Sequence, residues 1–137
     1  NFADALLGIL AQRLVRTLCK KCKEAYHPDR KEFDEIVLHY GEEQFRKLNI
    51  GYDEKFTLYR PKGCDACDKT GYKGRMGLHE LIVATDSIKR LIQKHATVEV
   101  IRELAMQEGM TTLLQDGISK SLQGLTDFKQ VRRVCIK

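Results

Sequence analysis

The chain has 137 residues, 42% of them hydrophobic and 31% charged, with a formal net charge of +5. This is too apolar for a disordered chain and suits a soluble globular domain of ordinary size. No apolar run approaches the roughly 20 residues that a membrane-spanning helix needs, and so mild a positive charge permits an acidic partner without requiring one.

In chain order, the first segment is FADALLGILAQRLVRTL. Asp4, Gln12, Arg13 and Arg16 interrupt it, and it lacks the basic start and the cleavage site of a signal peptide. We expect a cytoplasmic chain, and one that begins at Asn1 without a Met is expected to be part of something longer. Apolar residues at 3, 7, 10, 14 and 18, with 6 and 15 alongside, predict a helix over 2–18 capped by Asn1. Its polar side carries Arg13 and Arg16, either solvated or placed to meet a neighbouring domain. HPDRKEFDEIVLHYG predicts a helix between Asp29 and Gly41, and EEQFRKLNIGYD another turn or two. KFTLYRPKG and RMGLHELIVAT alternate as strands do. From Asp86 onward, threonine and aspartate caps and terminating glycines predict four short helices in a compact bundle. Ile88, Val100, Ile118, Phe128 and Val131 are among its expected core residues. Asp86 and Thr126 are expected to cap the first and last of these helices. His79 and Glu80 read as a strand-edge pair, not a catalytic one.

Five cysteines occur, and four form two Cys-x-x-Cys pairs: Cys19 with Cys22, and Cys64 with Cys67. Zinc takes four thiolates in a tetrahedron, each about 2.3 Å away, and a filled tetrahedron is structural, with no open position for a catalytic water. Iron also accepts four thiolates, and unligated cysteines are the remaining reading. Disulfides do not suit a cytosolic chain, and a redox pair belongs in a βαβ setting. A four-thiolate zinc site contributes about 10–16 kcal/mol at neutral pH. Closing the loop over residues 23–63 costs about 4 kcal/mol. Zinc with four thiolates carries a −2 charge, which Lys20, Lys21, Lys23, Lys62 and Lys69 can offset. His27 and His39 read as surface residues and Cys135 as a packing residue. Gly71, Gly74 and Gly77 do not match a phosphate loop and read as tight turning around the metal. The fold class expected is mainly α with a small β hairpin, a C-terminal helical bundle plus a zinc-knuckle lobe.

LAQRLVRTLCKKC, GCDACDKTGYKGRMGLHEL and DGISKSLQGLTDFKQVRRV together closely resemble the C-terminal part of type II secretion and type IV pilus assembly ATPases. The resemblance covers nearly the whole chain and is weakest over 27–57. It implies a bacterial hexameric motor, cytoplasmic and peripheral to the inner membrane, with other ATPase subunits and an inner-membrane platform protein as partners. It implies zinc as cofactor on Cys19, Cys22, Cys64 and Cys67, with ATP and magnesium belonging to the parent protein alone. Residues 1–18 would lead from an upstream ATPase core, 19–75 would form the tetracysteine lobe with a helical insertion, and 76–137 a strand and helical subdomain. The family's nucleotide-binding motifs lie upstream, so this stretch is not expected to hydrolyse ATP. Its role would be structural and coupling, with Arg13 and Arg16 at inter-subunit or inter-domain contacts and no nucleic acid bound. Lys20 stands where a proline is common in the family, and the spacer between the pairs looks long. CDACDKTGYKG also resembles the Cys-x-x-Cys-x-Gly-x-Gly repeat of DnaJ-type chaperones, so the alternative is a zinc-ribbon module for nucleic acid or unfolded polypeptide. Only two pairs occur, however, and the helical tail has no place there.

Overall fold

Two antiparallel ribbons organise the chain, whose computed structural model describes residues 8–136. The long one pairs β1 (Gly8–Leu18) with β4 (Tyr72–Val83), from Gly8 opposite Val83 to Leu18 opposite Tyr72, with a bulge between Arg16 and Leu18. The short one pairs β2 (Glu24–Tyr26) with β3 (Leu58–Arg60).

β1 corrects the predicted helix over 2–18; its first part, with the Asn1 cap, lies outside the described residues. Leu10 and Leu14 are 59% and 53% exposed on one face while Val15 is buried on the other. The bulge then turns Leu18 back into the core. Apolar residues on both faces of a strand, with one parity change, imitate helical spacing.

Helices α1 (Arg30–Tyr40) and α2 (Glu42–Arg46) fall where expected, and Asp29 caps α1 by accepting from the Glu32 amide at 2.8 Å. Four more follow: α3 (Asp86–Gln93), α4 (Val98–Gln107), α5 (Leu113–Leu122) and α6 (Phe128–Cys135). Thr85, not Asp86, caps α3, and Asp127, not Thr126, caps α6. Thr126 is fully buried and spends its hydroxyl on the Arg16 carbonyl at 2.7 Å.

The four C-terminal helices do not form the single bundle expected. α3 packs on α4, and α4 leans on β4; α5 and α6 pack on each other and on the ribbon. Val100 is consequently 45% exposed rather than core. The main core joins distant parts of the chain: Phe33, Ile36 and Phe56 pack with Ile118, Phe128 and Val131. Edge-to-face contacts of Phe33 with Phe45 (5.6 Å) and Phe56 (4.9 Å) fix this cluster, each worth about 0.5–1.5 kcal/mol beyond area burial. Among the described residues the architecture is thus six helices with two two-stranded ribbons, one of them long.

Candidate metal centre

The ribbons converge on the cysteines. β1 ends at the residue before Cys19 and β2 begins two residues after Cys22; β3 ends four residues before Cys64 and β4 begins five residues after Cys67. All four sulfurs lie within 4.8 Å of one another. Contacts of 3.8 Å (Cys19–Cys64), 3.8 Å (Cys22–Cys67) and 3.7 Å (Cys64–Cys67) are too long for disulfides, and all five cysteines are free thiols. A tetrahedron with metal–sulfur bonds of about 2.3 Å has edges of about 3.8 Å. The four sulfurs are therefore spaced to hold a metal ion.

Tight local turns produce this spacing. The 3-10 turn Asp65–Cys67 folds the second pair, and Asp68 and Lys69 follow in left-handed conformations. Gly63 and Gly71 have φ of 111° and 87°, and a Cβ on Gly63 would lie 2.8 Å from the Lys69 carbonyl. One on Gly71 would collide with Pro61. These turns aim amides at sulfur: Gly63 N donates to Cys22 Sγ at 3.3 Å, and Gly71 N to Cys67 Sγ at 3.2 Å. Burial pushes the Cys67 thiol up, but the amides of Cys64 and Gly71 outweigh it and bring it down to about 6. For Cys22 burial dominates and pushes the thiol up to about 11. The Lys21 amide holds Cys19 below its ordinary value against the opposing effect of burial. Amide donors of this kind favour the thiolate, the form that binds metal.

The loop between α5 and α6 is strapped onto this centre. Lys23 Nζ donates to the Gly124 carbonyl at 2.9 Å, Leu18 N to the Leu125 carbonyl at 2.9 Å, and Tyr72 OH to Asp127 Oδ2 at 2.5 Å. With the Thr126 bond to Arg16, four consecutive residues fasten the end of β1, the first knuckle and the start of β4.

The sequence profile of the type II/IV secretion system proteins matches residues 1–133. The chain belongs to that family. This secretion-family chain is 39% identical over 131 residues to the type IV pilus assembly ATPase PilB of Thermus thermophilus, covering 96% of itself and 14% of that protein. It is 40% identical over 134 residues to PilB of Pseudomonas aeruginosa, covering 98% and 22%. It is 37% identical over 132 residues to the type II secretion system ATPase E of Vibrio cholerae, covering 96% and 24%. The chain thus spans about a quarter or less of the length of these relatives.

Other residues singled out in the secretion-family sequence lie elsewhere. Arg13 is exposed, with Nη1 on the Gln12 carbonyl; Arg16 is exposed, its guanidinium 5.8 Å from the Tyr72 ring centre. His27 contacts the Phe56 carbonyl and Tyr52, and His39 the Glu35 carbonyl; neither joins the cysteines. Gly77 sits in β4 opposite Leu14, not at a turn around the cysteines. Lys23, expected to balance charge, is a structural fastener over the Tyr59 ring at 4.7 Å. Glu80 is 8% exposed and accepts from the Leu113 amide at 3.0 Å and Arg102 at 3.3 Å. The strap residues Tyr72 and Asp127 were not anticipated, although each stands inside a motif that carries the family resemblance. Among the described residues no helix is long and apolar enough to cross a membrane.

Proposed function

We propose that this chain is the C-terminal structural and coupling module of a secretion or pilus-assembly motor ATPase, with one zinc held by Cys19, Cys22, Cys64 and Cys67. Three observations support the zinc: an all-thiolate donor set, sulfur spacings near a tetrahedral edge, and amides aimed at the sulfurs. A four-thiolate zinc supplies a cross-link and no catalysis. Ligand residues and amide donors together pin the ends of both ribbons, and the strap carries that rigidity to α6. A displacement at the ribbon is thereby passed to the helices.

On this reading ATP hydrolysis, with its magnesium, belongs to sequence upstream of this stretch. The working assembly is a hexamer in the cytoplasm, peripheral to the inner membrane and facing a platform protein. We assign Arg13 and Arg16, both exposed on β1, to contacts with another domain or subunit, a reading their exposure supports. The observation that carries the proposal is the convergence of four strand ends on four cysteines. Serine replacement of Cys22 and Cys64 in the full-length ATPase tests it, with bound zinc, oligomer size and ATPase rate as readouts. The expected result is loss of zinc with loss of assembly or rate; unchanged metal, assembly and rate reject it.

A further inference from the structure

The four clustered sulfurs are not alike. Cys19 and Cys67 are 2% and 5% exposed, whereas Cys22 and Cys64 are only half-buried. Amide donors divide the same way. Cys67 Sγ accepts from the Cys64 and Gly71 amides at 3.3 and 3.2 Å, and Cys19 from those of Lys21 and Cys22. Cys22 Sγ accepts from the Gly63 amide at 3.3 Å. The amide that reaches Cys64 Sγ is that of Cys67, and it is shared with the Cys64 carbonyl at 3.3 Å. Donors of this kind draw charge from a thiolate and make it a weaker nucleophile. Cys64 thus combines access with the weakest amide support. It also touches both buried sulfurs, Cys67 at 3.7 Å and Cys19 at 3.8 Å.

We propose that Cys64 is an oxidation site for hydrogen peroxide, and that its disulfide with Cys67 opens the metal clip. The inference rests on the zinc reading above. The Cys64 thiolate attacks one peroxide oxygen, the O–O bond breaks and hydroxide leaves. Sulfur is thereby oxidised by two electrons to a sulfenic acid, and the peroxide is reduced. The Cys67 thiolate then attacks that sulfur; the S–S bond forms, the S–O bond breaks and a second hydroxide leaves. Cys67 is the resolving thiol because it shares one 3-10 turn with Cys64 and stays beside it whatever the metal does. Cys19 belongs to the other knuckle. With Cys64 and Cys67 tied to each other, Cys19 and Cys22 cannot fill a tetrahedron. The new bond lies within one knuckle, so it does not replace the cross-link between the two.

The test treats the full-length ATPase, first assayed for about one zinc per subunit by elemental analysis, with hydrogen peroxide in small excess. Zinc release is read with a chromogenic chelator. Disulfides are mapped by peptide mass spectrometry without reduction, and transient sulfenic acid is trapped with dimedone. The expected result is about one zinc released for about two thiols lost. The disulfide should join Cys64 to Cys67, dimedone should mark Cys64, and Cys19 and Cys22 should remain open to alkylation. Dithiothreitol with added zinc should restore the bound metal. The proposal is overturned by a disulfide joining any other pair, or by dimedone on Cys19 or Cys22 ahead of Cys64. Zinc that stays bound under peroxide overturns the oxidation site and leaves the zinc reading standing. Protein that holds no zinc before treatment overturns both.

Discussion

Gly117 lies inside α5, in the Asp116–Gly117 pair of the DGISK motif, with α6 and β4 pressed against it. A Cβ added there would stand 2.5 Å from Val131 Cγ1 and 3.0 Å from both Val131 Cγ2 and Leu78 Cδ1. Alanine in a helix interior gains about 1 kcal/mol over glycine. Overpacking costs about 1–3 kcal/mol, toward the upper end where neighbours cannot move. Val131 and Leu78 are both 0% exposed, and valine is stiff about χ1. Gly117→Ala should therefore destabilise by about 2 kcal/mol net, lowering the thermal midpoint by about 8 °C. The assay is urea unfolding of metal-saturated protein followed by circular dichroism. Adding Val131→Ala makes room for the new methyl, so the double variant should be at least about 1 kcal/mol more stable than the two single losses predict. A Gly117→Ala protein as stable as the parent, or a strictly additive pair, would refute this account of helix-to-ribbon packing.

Cys67→Ser should reduce bound zinc from about one per chain to near none by elemental analysis; retained stoichiometric zinc would show that Cys67 is not a ligand. Glu80→Ala should cost about 1–3 kcal/mol by leaving the Leu113 amide unpaired, while Glu80→Gln, losing mainly the half-exposed Arg102 pair, should cost under about 1 kcal/mol in the same unfolding assay. Burial first, and then the Asp127 bond, push the Tyr72 hydroxyl from its ordinary 10.0 up to about 12. A raised value means the neutral form is favoured in the fold. Its contribution is complete below pH 10 and is lost as pH rises toward 12. Burial also raises Tyr26 and Tyr40, so ultraviolet titration should show several late tyrosine ionisations, and Tyr72→Phe should reduce the late absorbance change by one tyrosine.

Cysteine spacing was legible in the sequence because it is local, and so were most helix caps, although those of α3 and α6 lie one residue from where they were expected. Two residues between thiols bring them to one point, and Asp29, Thr97 and Thr112 accept from amides three positions on. β1 was not legible, because its strand character depends on pairing with residues far along the chain. Taken alone, leucines at 10, 14 and 18 fit either period. The division of α3–α6 into two helix pairs was hidden for the same reason, since each pair packs on the ribbon and caps carry no information about what a helix packs against. Nor does patterning reveal that Phe33 and Phe56 share a core with Ile118 and Val131, that Thr126 gives up the capping place to join a strap, or that Asp127 caps α6 through Oδ1 while Oδ2 joins the same strap.

The position of the cysteines at the closed end of the long ribbon also bears on the order in which the chain folds. Leu18 must find Tyr72 before the outer pairs, out to Gly8 and Val83, can follow. In a free chain that search spans the whole intervening insertion, and such distant pairings are slow. With a metal joining Cys19 and Cys22 to Cys64 and Cys67, the innermost pair sits beside a tether and the ribbon can zip outward as a hairpin does, on a scale of about 1–10 μs. Ion capture would then start the assembly of the ribbon rather than finish it. Stopped-flow refolding should be markedly faster with stoichiometric zinc than with a chelator, and equal rates would place ribbon formation ahead of the metal.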